Sequence, residues 1–165
     1  MEFEVDDWVV HPQHGVGLVV KLEIRQFDAR PKRLYYEISL PNGTVWTRAD
    51  GSSCDLRKVT AKGDLTKYRD LLKSRPTPLT ANYRQRQVEL ADRVRQGSLR
   101  ARCEIVRDLS AFGWDRPLSE GNATLLRVAH QKLDEEWAMA EGVSLCEATH
   151  EIKGLLQEGK HLFKK

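Results

Sequence analysis

The residues best suited to chemistry lie between Asn82 and Leu109. The stretch opens Asn82-Tyr83-Arg84-Gln85-Arg86 and closes Glu104-Ile105-Val106-Arg107-Asp108-Leu109. From Arg84 to Arg107 it carries seven Arg and no Lys, opposed only by Glu89, Asp92 and Glu104. That leaves the segment at +4 in a chain of net charge +3. Guanidinium groups at this density suit a polyanion, because each phosphate contact releases counterions and makes binding salt-sensitive. Arg84, Arg86, Arg93, Arg95, Arg100 and Arg102 are the candidate ligands, with Asn82 and Tyr83 at the head. The same pattern also fits a solvated helix face laced by i,i+4 pairs such as Glu89–Arg93. Tyr83 divides in the same way. It stands four residues before Gln87 and eight before Ala91, so it could extend a buried face. Beside Arg84 and Arg86 at a helix start, it could instead project, stacking on an unpaired base or wedging into a minor groove.

Other constellations are thinner. His11-x-x-His14 and the isolated Cys54 lack the second closely spaced pair that structural zinc sites use. Cys146 and His150 share a face of a predicted helix but have no further pair in reach. There is no Gly-x-Ser-x-Gly elbow and no P-loop. Gly15-Val16-Gly17 joins two strands and opens no helix, so it reads as a turn. No catalytic residue, metal site or cofactor is expected, and the enzyme class is set aside.

The totals fit one domain or two small ones in 165 residues. No apolar run approaches the roughly 20 residues of a membrane span. Met1-Glu2-Phe3-Glu4 lacks the regions of a signal peptide. Three widely spaced Cys argue for reduced thiols and a cytoplasmic protein rather than a disulfide frame. Residues 1–60 carry 8 basic and 9 acidic residues, whereas residues 61–165 carry 19 and 15. A nucleic-acid surface is therefore expected in the second half.

Two kinds of periodicity divide the chain near residue 60. Before it come short strands: Trp8-Val9-Val10, Gly15 to Val20, Leu34 to Leu40, Thr44 to Thr47, and Leu56 to Val59. Pro41-Asn42-Gly43 marks a reversal, with Asn-Gly suiting a type I′ turn. After Thr60 the spacing becomes helical. Leu65, Tyr68, Leu71 and Leu72 form one stripe with Asp64 as candidate cap. Thr80 or Asn82 caps a second helix, with Val88, Ala91 and Val94 as its apolar positions. Gly97-Ser98 precedes a third helix bearing Ile105, Val106 and Leu109. Ser119 opens a fourth with Leu126, Ala129, Leu133 and Trp137. Ser144 and Glu147 make a capping box before a fifth, with Leu145, Ala148, Ile152 and Leu155 on its stripe. The expectation is an α+β protein of two domains. Residues 1–60 form a small β-barrel or curled sheet, and residues 61–165 an all-α bundle of about five helices.

Two signatures carry a family resemblance. Phe3-Glu4-Val5-Asp6-Asp7-Trp8-Val9-Val10-His11-Pro12-Gln13-His14-Gly15-Val16-Gly17 resembles the opening of the CarD/CdnL family of bacterial transcription regulators. That opening, F-x-x-G-D-x-V-V-x-P-x-x-G-x-G, is shared with the polymerase-binding domain of the transcription-repair coupling factor. Ala81-Asn82-Tyr83-Arg84-Gln85-Arg86, followed after Gly97 by Glu104 to Leu109, resembles the family's helical signature.

The resemblance implies that residues 1–60 are a Tudor/SH3-like module binding the β subunit of RNA polymerase. It implies that residues 61–165 meet promoter DNA at the upstream edge of the bubble, without sequence specificity. An aromatic wedge there would stabilise the open complex. Tyr83 falls where the family typically has Trp, Arg86 matches a family Arg, and Gln85 stands where another Arg can occur. Arg25 aligns with a basic position of the polymerase-facing module. Thr44, Val45, Trp46, Thr47 and Arg48 correspond to the strand that pairs with β, with Val45-Trp46-Thr47 replacing a more usual basic or aromatic residue followed by Val-Pro. Asp6 stands where the family often has Gly. The expected protein is a monomeric, cytoplasmic regulator associated with the nucleoid through polymerase. A second class is a protein-interaction module whose Arg face is merely solvated.

Overall fold

The computed structural model describes residues 3–49 and 56–164, and Cys54 lies outside them. The chain divides into two compact units, residues 1–59 and 60–165.

The first unit is a five-stranded antiparallel sheet: β1 (Trp8–His11), β2 (Gly15–Arg25), β3 (Arg33–Leu40), β4 (Gly43–Arg48) and β5 (Arg57–Lys58). The spatial order is β4-β3-β2-β1-β5. β2 is the long central strand, and its register with β3 shifts between Val19 and Lys21. Such a bulge bends the strand and increases its twist, which lets one short sheet wrap a core. Alternation supplies that core: Val9, Val19, Tyr36 and Ile38 are buried, joined by Phe3, Ala49 and Leu56. Phe3 packs edge-on against Tyr36 at 5.7 Å, and its backbone N–H donates to the Tyr36 hydroxyl at 3.2 Å. The first signature residue thus closes one end of the module.

The β3–β4 reversal differs from the expected type I′ turn. Leu40 pairs with Gly43, leaving Pro41 and Asn42 as the loop. A proline ring fixes a negative φ, and type I′ needs positive φ at both central residues. The positive φ (153°) falls instead on Gly43, the first residue of β4.

The second unit holds α1 (Leu65–Leu72), α2 (Tyr83–Gln96), α3 (Leu99–Phe112), α4 (Glu120–Glu141) and α5 (Leu145–Phe163), after a 3-10 turn at Lys62–Asp64. Asn82, Ser98, Ser119 and Ser144 each accept a backbone N–H at the start of α2, α3, α4 and α5. Gly97 and Gly142 end α2 and α4 in the left-handed conformation. Asp64 makes no side-chain cap; it belongs to the 3-10 turn that leads into α1. Leu65, Leu72, Leu90, Leu99, Ile105, Leu109, Leu133, Trp137, Ala148 and Ile152 form the core of the bundle.

One helix face departs from expectation. Val88, Ala91 and Val94 were the expected inner positions of α2, yet only Leu90 is buried there. Val88 is 59% exposed and Val94 42%. The half-buried Arg86 and Arg93 share that side of the helix: Arg93 donates to the buried Asp108 of α3, and Arg86 to the Thr80 and Ala81 carbonyls of the preceding link.

Candidate nucleic-acid and polymerase interfaces

Tyr83 is the first residue of α2. Asn82 Oδ1 accepts the Gln85 N–H at 3.0 Å and so fixes where the helix begins. The following turn is tied down by its own side chains. The Thr80 hydroxyl donates to Glu89 at 2.6 Å, and Gln87 Nε2 donates to the buried Asn122 of α4 at 3.1 Å. On this base Tyr83 is 59% exposed. It is not part of the buried face.

The six candidate arginines separate into three kinds. Arg84 is exposed and has no ion-pair partner among the described residues. Arg95 pairs with Asp92, and Arg100 pairs with Glu104 at 3.0 Å, both with arginine side chains more than 70% exposed. Exposed pairs of this kind contribute roughly 0–1 kcal/mol, so a phosphate can replace the carboxylate cheaply.

Arg102 and Arg93 are committed inward. Arg102 is 6% exposed and lies 3.7 Å from Glu136, which is fully buried. Glu136 also accepts from the Thr60 hydroxyl at 2.7 Å. Breaking a buried pair costs about 3–5 kcal/mol, which takes Arg102 out of the set available to an outside anion. Arg93 donates to Asp108 at 2.9 Å, so the expected Glu89–Arg93 pair does not form. Arg86 is engaged as well. It donates to the Thr80 and Ala81 carbonyls at 3.0 and 3.1 Å and lies over the rings of Tyr83 and Phe112.

Sequence reasoning missed the residue that holds this region together. Asp108 is 1% exposed and accepts from Arg93, from Arg107 Nε at 2.8 Å and from the Thr77 N–H at 3.0 Å. Arg107 in turn donates to Ser74 and Thr77. The Arg107-Asp108 pair of the second signature therefore clamps α2 and the proline-containing link onto α3. The adjacent Arg107 and Asp108, set between the apolar Ile105-Val106 and Leu109, were the available signal.

On the first unit, β4 is an end strand and pairs only with β3 among the described residues. Its outer edge can accept another strand. Trp46 pairs with Glu37, Val45 with Ile38 and Arg48 with Tyr35. Arg25 of β2 stacks over Trp46 at 4.6 Å and over Phe27 at 5.4 Å, and pairs with Glu23 at 3.3 Å. Two of the expected polymerase-facing residues, Arg25 and Trp46, thus form one cationic–aromatic cluster. Thr44 is exposed, while Val45, Thr47 and Arg48 are half-buried.

His11 Nδ1 accepts the backbone N–H groups of Gln13 and His14 at 3.1 and 3.3 Å, so the H-x-x-H turn uses its imidazole on its own backbone. Among the described residues no cluster of three or more His, Cys, Asp or Glu is placed to hold a metal ion. Burial pushes the Cys103 thiol well above its ordinary range and leaves it unreactive. No helix among the described residues is long and apolar enough to cross a membrane.

Two comparisons match the two units in order. Residues 3–47 match the CarD-like/TRCF RID domain, and residues 67–153 match the CarD C-terminal domain. The chain belongs to the CarD family. It is 26% identical over 145 residues to YdeB of Bacillus subtilis (strain 168), named as a candidate transcription factor, covering 86% of this chain and 94% of that protein. This CarD-family member is a transcription factor rather than an enzyme, and its N-terminal unit is of the RNA polymerase-interacting class.

Proposed function

We propose that this protein binds the β subunit of RNA polymerase through the β4 edge and stabilises the promoter open complex by seating Tyr83 at the upstream edge of the bubble. The observation that carries the reading is the exposure of Tyr83 on a capped, internally braced helix start, next to the exposed Arg84. A side chain shifts an equilibrium only if it binds one state better than the other. Tyr83 meets that condition if its ring enters a groove or base step that only the open form presents.

The magnitude is modest. Base–aromatic stacking contributes about 1–3 kcal/mol, which is roughly a 5- to 150-fold change in an equilibrium. Tyr, smaller than Trp, belongs near the lower end. Arg84, Arg95 and Arg100 supply phosphate contacts, each adding about 0.9 to the slope of log affinity against log salt. Strand addition at β4 uses backbone groups and so tolerates Val45-Trp46-Thr47 in place of the family's usual side chains.

The test is the lifetime of the open complex with wild-type protein and with Tyr83→Ala. The expected result is a lifetime about fivefold shorter for the variant, with binding to the isolated β subunit unchanged. Equal lifetimes would remove the wedge. A second reading draws on Val88 and Val94, whose exposure puts apolar surface between Arg84 and Arg95 on the outer face of α2. Such a strip fits a protein partner. Full β binding with no contribution from DNA would favour it.

A further inference from the structure

We infer that Arg86 acts on DNA only through Tyr83, as a positioning residue that holds the ring at the head of α2, and is not a phosphate ligand. The inference rests on the wedge reading and deepens it. Three observations carry it.

The guanidinium is already used. Nη1 donates to the carbonyls of Thr80 and Ala81 at 3.0 and 3.1 Å, in the link that leads into the Asn82 cap. Nε is buried, with no hydrogen-bond partner among the described residues. Its flat cation lies against two aromatic rings, with Cζ 5.0 Å from the Phe112 centroid and 5.5 Å from that of Tyr83. Phe112 is the half-buried last residue of α3. A line of contacts therefore runs from α3 through Arg86 to the exposed ring.

This arrangement answers a physical need. A Tyr at the first position of a helix has little around it to fix its rotamer. Ordering a free side chain on binding costs entropy, and a ring held in advance avoids much of that cost. Arg is the side chain for the task. It can donate to two carbonyls while presenting a planar face to aromatic rings, whereas Lys offers a compact charge with no face. Arg84, two residues earlier, has neither kind of engagement among the described residues and remains available to a phosphate.

The experiment measures open-complex lifetime across a salt series, using full-length protein, polymerase and promoter. The variants are Arg86→Met, Arg86→Lys, Phe112→Leu and Tyr83→Ala, with Arg86→Met also placed in the Tyr83→Ala background. Arg86→Met and Arg86→Lys are both expected to shorten the lifetime about two- to fivefold at unchanged salt slope. Phe112→Leu, which alters no charge, shortens it likewise and carries the test if Arg86→Met fails to fold. In the Tyr83→Ala background Arg86→Met has no further effect, the non-additivity expected of residues acting as one unit. The inference is overturned if Lys restores the lifetime while Met flattens the slope by about 0.9, the mark of a phosphate ligand. It is also overturned if Arg86→Met costs as much without Tyr83 as with it, the mark of a general structural role. A Tyr83→Ala effect with additive Arg86 sinks this inference alone. No Tyr83 effect sinks the wedge and the inference together.

Discussion

Gly17 is buried where β2 passes β3, and a Cβ built there would stand 2.6 Å from Ile38 Cγ2, 2.9 Å from Leu40 Cδ2 and 3.1 Å from the Ser39 carbonyl. One of those neighbours is backbone and another is a fully buried β-branched side chain, so little can give. Overpacking of this kind costs about 1–3 kcal/mol. Gly17→Ala is therefore expected to lower the denaturant midpoint of the first unit, and an unchanged midpoint would contradict the packing argument. Asp6 is a related case. It occupies φ 77°, a conformation Gly adopts freely and Asp tolerates, at the position where the family pattern often has Gly. Residues whose roles are set by local chemistry were legible in the sequence. Asn82, Ser98, Ser119 and Ser144 announce helix starts because a short polar side chain reaches an N–H two or three residues on. Arg93 and Arg102 were not legible as inward-facing. Their partners, Asp108 and Glu136, lie 15 and 34 positions away in the chain, and only packing brings them together.

Helix α2 illustrates the limit at the level of elements. Its apolar residues suggested one face, and the bundle uses another. Val88, Ala91 and Val94 offer little volume, while Leu90 is joined on the inner side by Arg93, whose head satisfies the buried Asp108. A period search that scores Arg as polar cannot find that face. The joint of α1, α4 and α5 follows the same principle and carries a pH signature. Arg69 of α1 donates to Glu141 at 2.6 Å and to Glu151 at 3.0 Å, and Trp137 Nε1 donates to Glu151 at 2.6 Å. Burial opposes ionisation of Glu151, but the hydrogen bonds from Arg69 and Trp137 and the Arg69 charge outweigh it and hold the carboxyl below its usual range. A lowered carboxyl pKa stabilises the fold above the unfolded value of about 4.3, and this contribution is lost as pH falls through the folded value. Glu151→Gln is expected to cost about 1.5 kcal/mol at pH 7, the low end for hydrogen bonds to charged groups because the Glu151 side chain is 36% exposed. In urea melts the gap from wild type should shrink as pH drops below about 4.3. A gap that stays constant down to acid pH would show that the charge on Glu151 contributes nothing.

At the scale of the molecule, two compact units with separate cores share one chain. The change of hydrophobic period near residue 60 made that division readable. The identity of the side chains at each interface was less so, because exposure depends on how each unit packs. The division has a functional consequence under the proposed reading. A few exposed arginines and one Tyr give weak contact to DNA. Attachment to polymerase converts that contact into an intramolecular event, with an effective concentration of the order of millimolar for a short linker. Residues 60–165 supplied alone at micromolar concentration are therefore expected to lengthen the open complex far less than the full chain does. Residues 1–59 supplied alone are expected to compete with the full chain for polymerase and to shorten the lifetime. Mixing the two separate units should not restore the effect, because neither then raises the local concentration of the other. If residues 60–165 matched the full chain at equal micromolar concentration, tethering would be irrelevant, and the helical unit would have to bind the bubble edge tightly by itself.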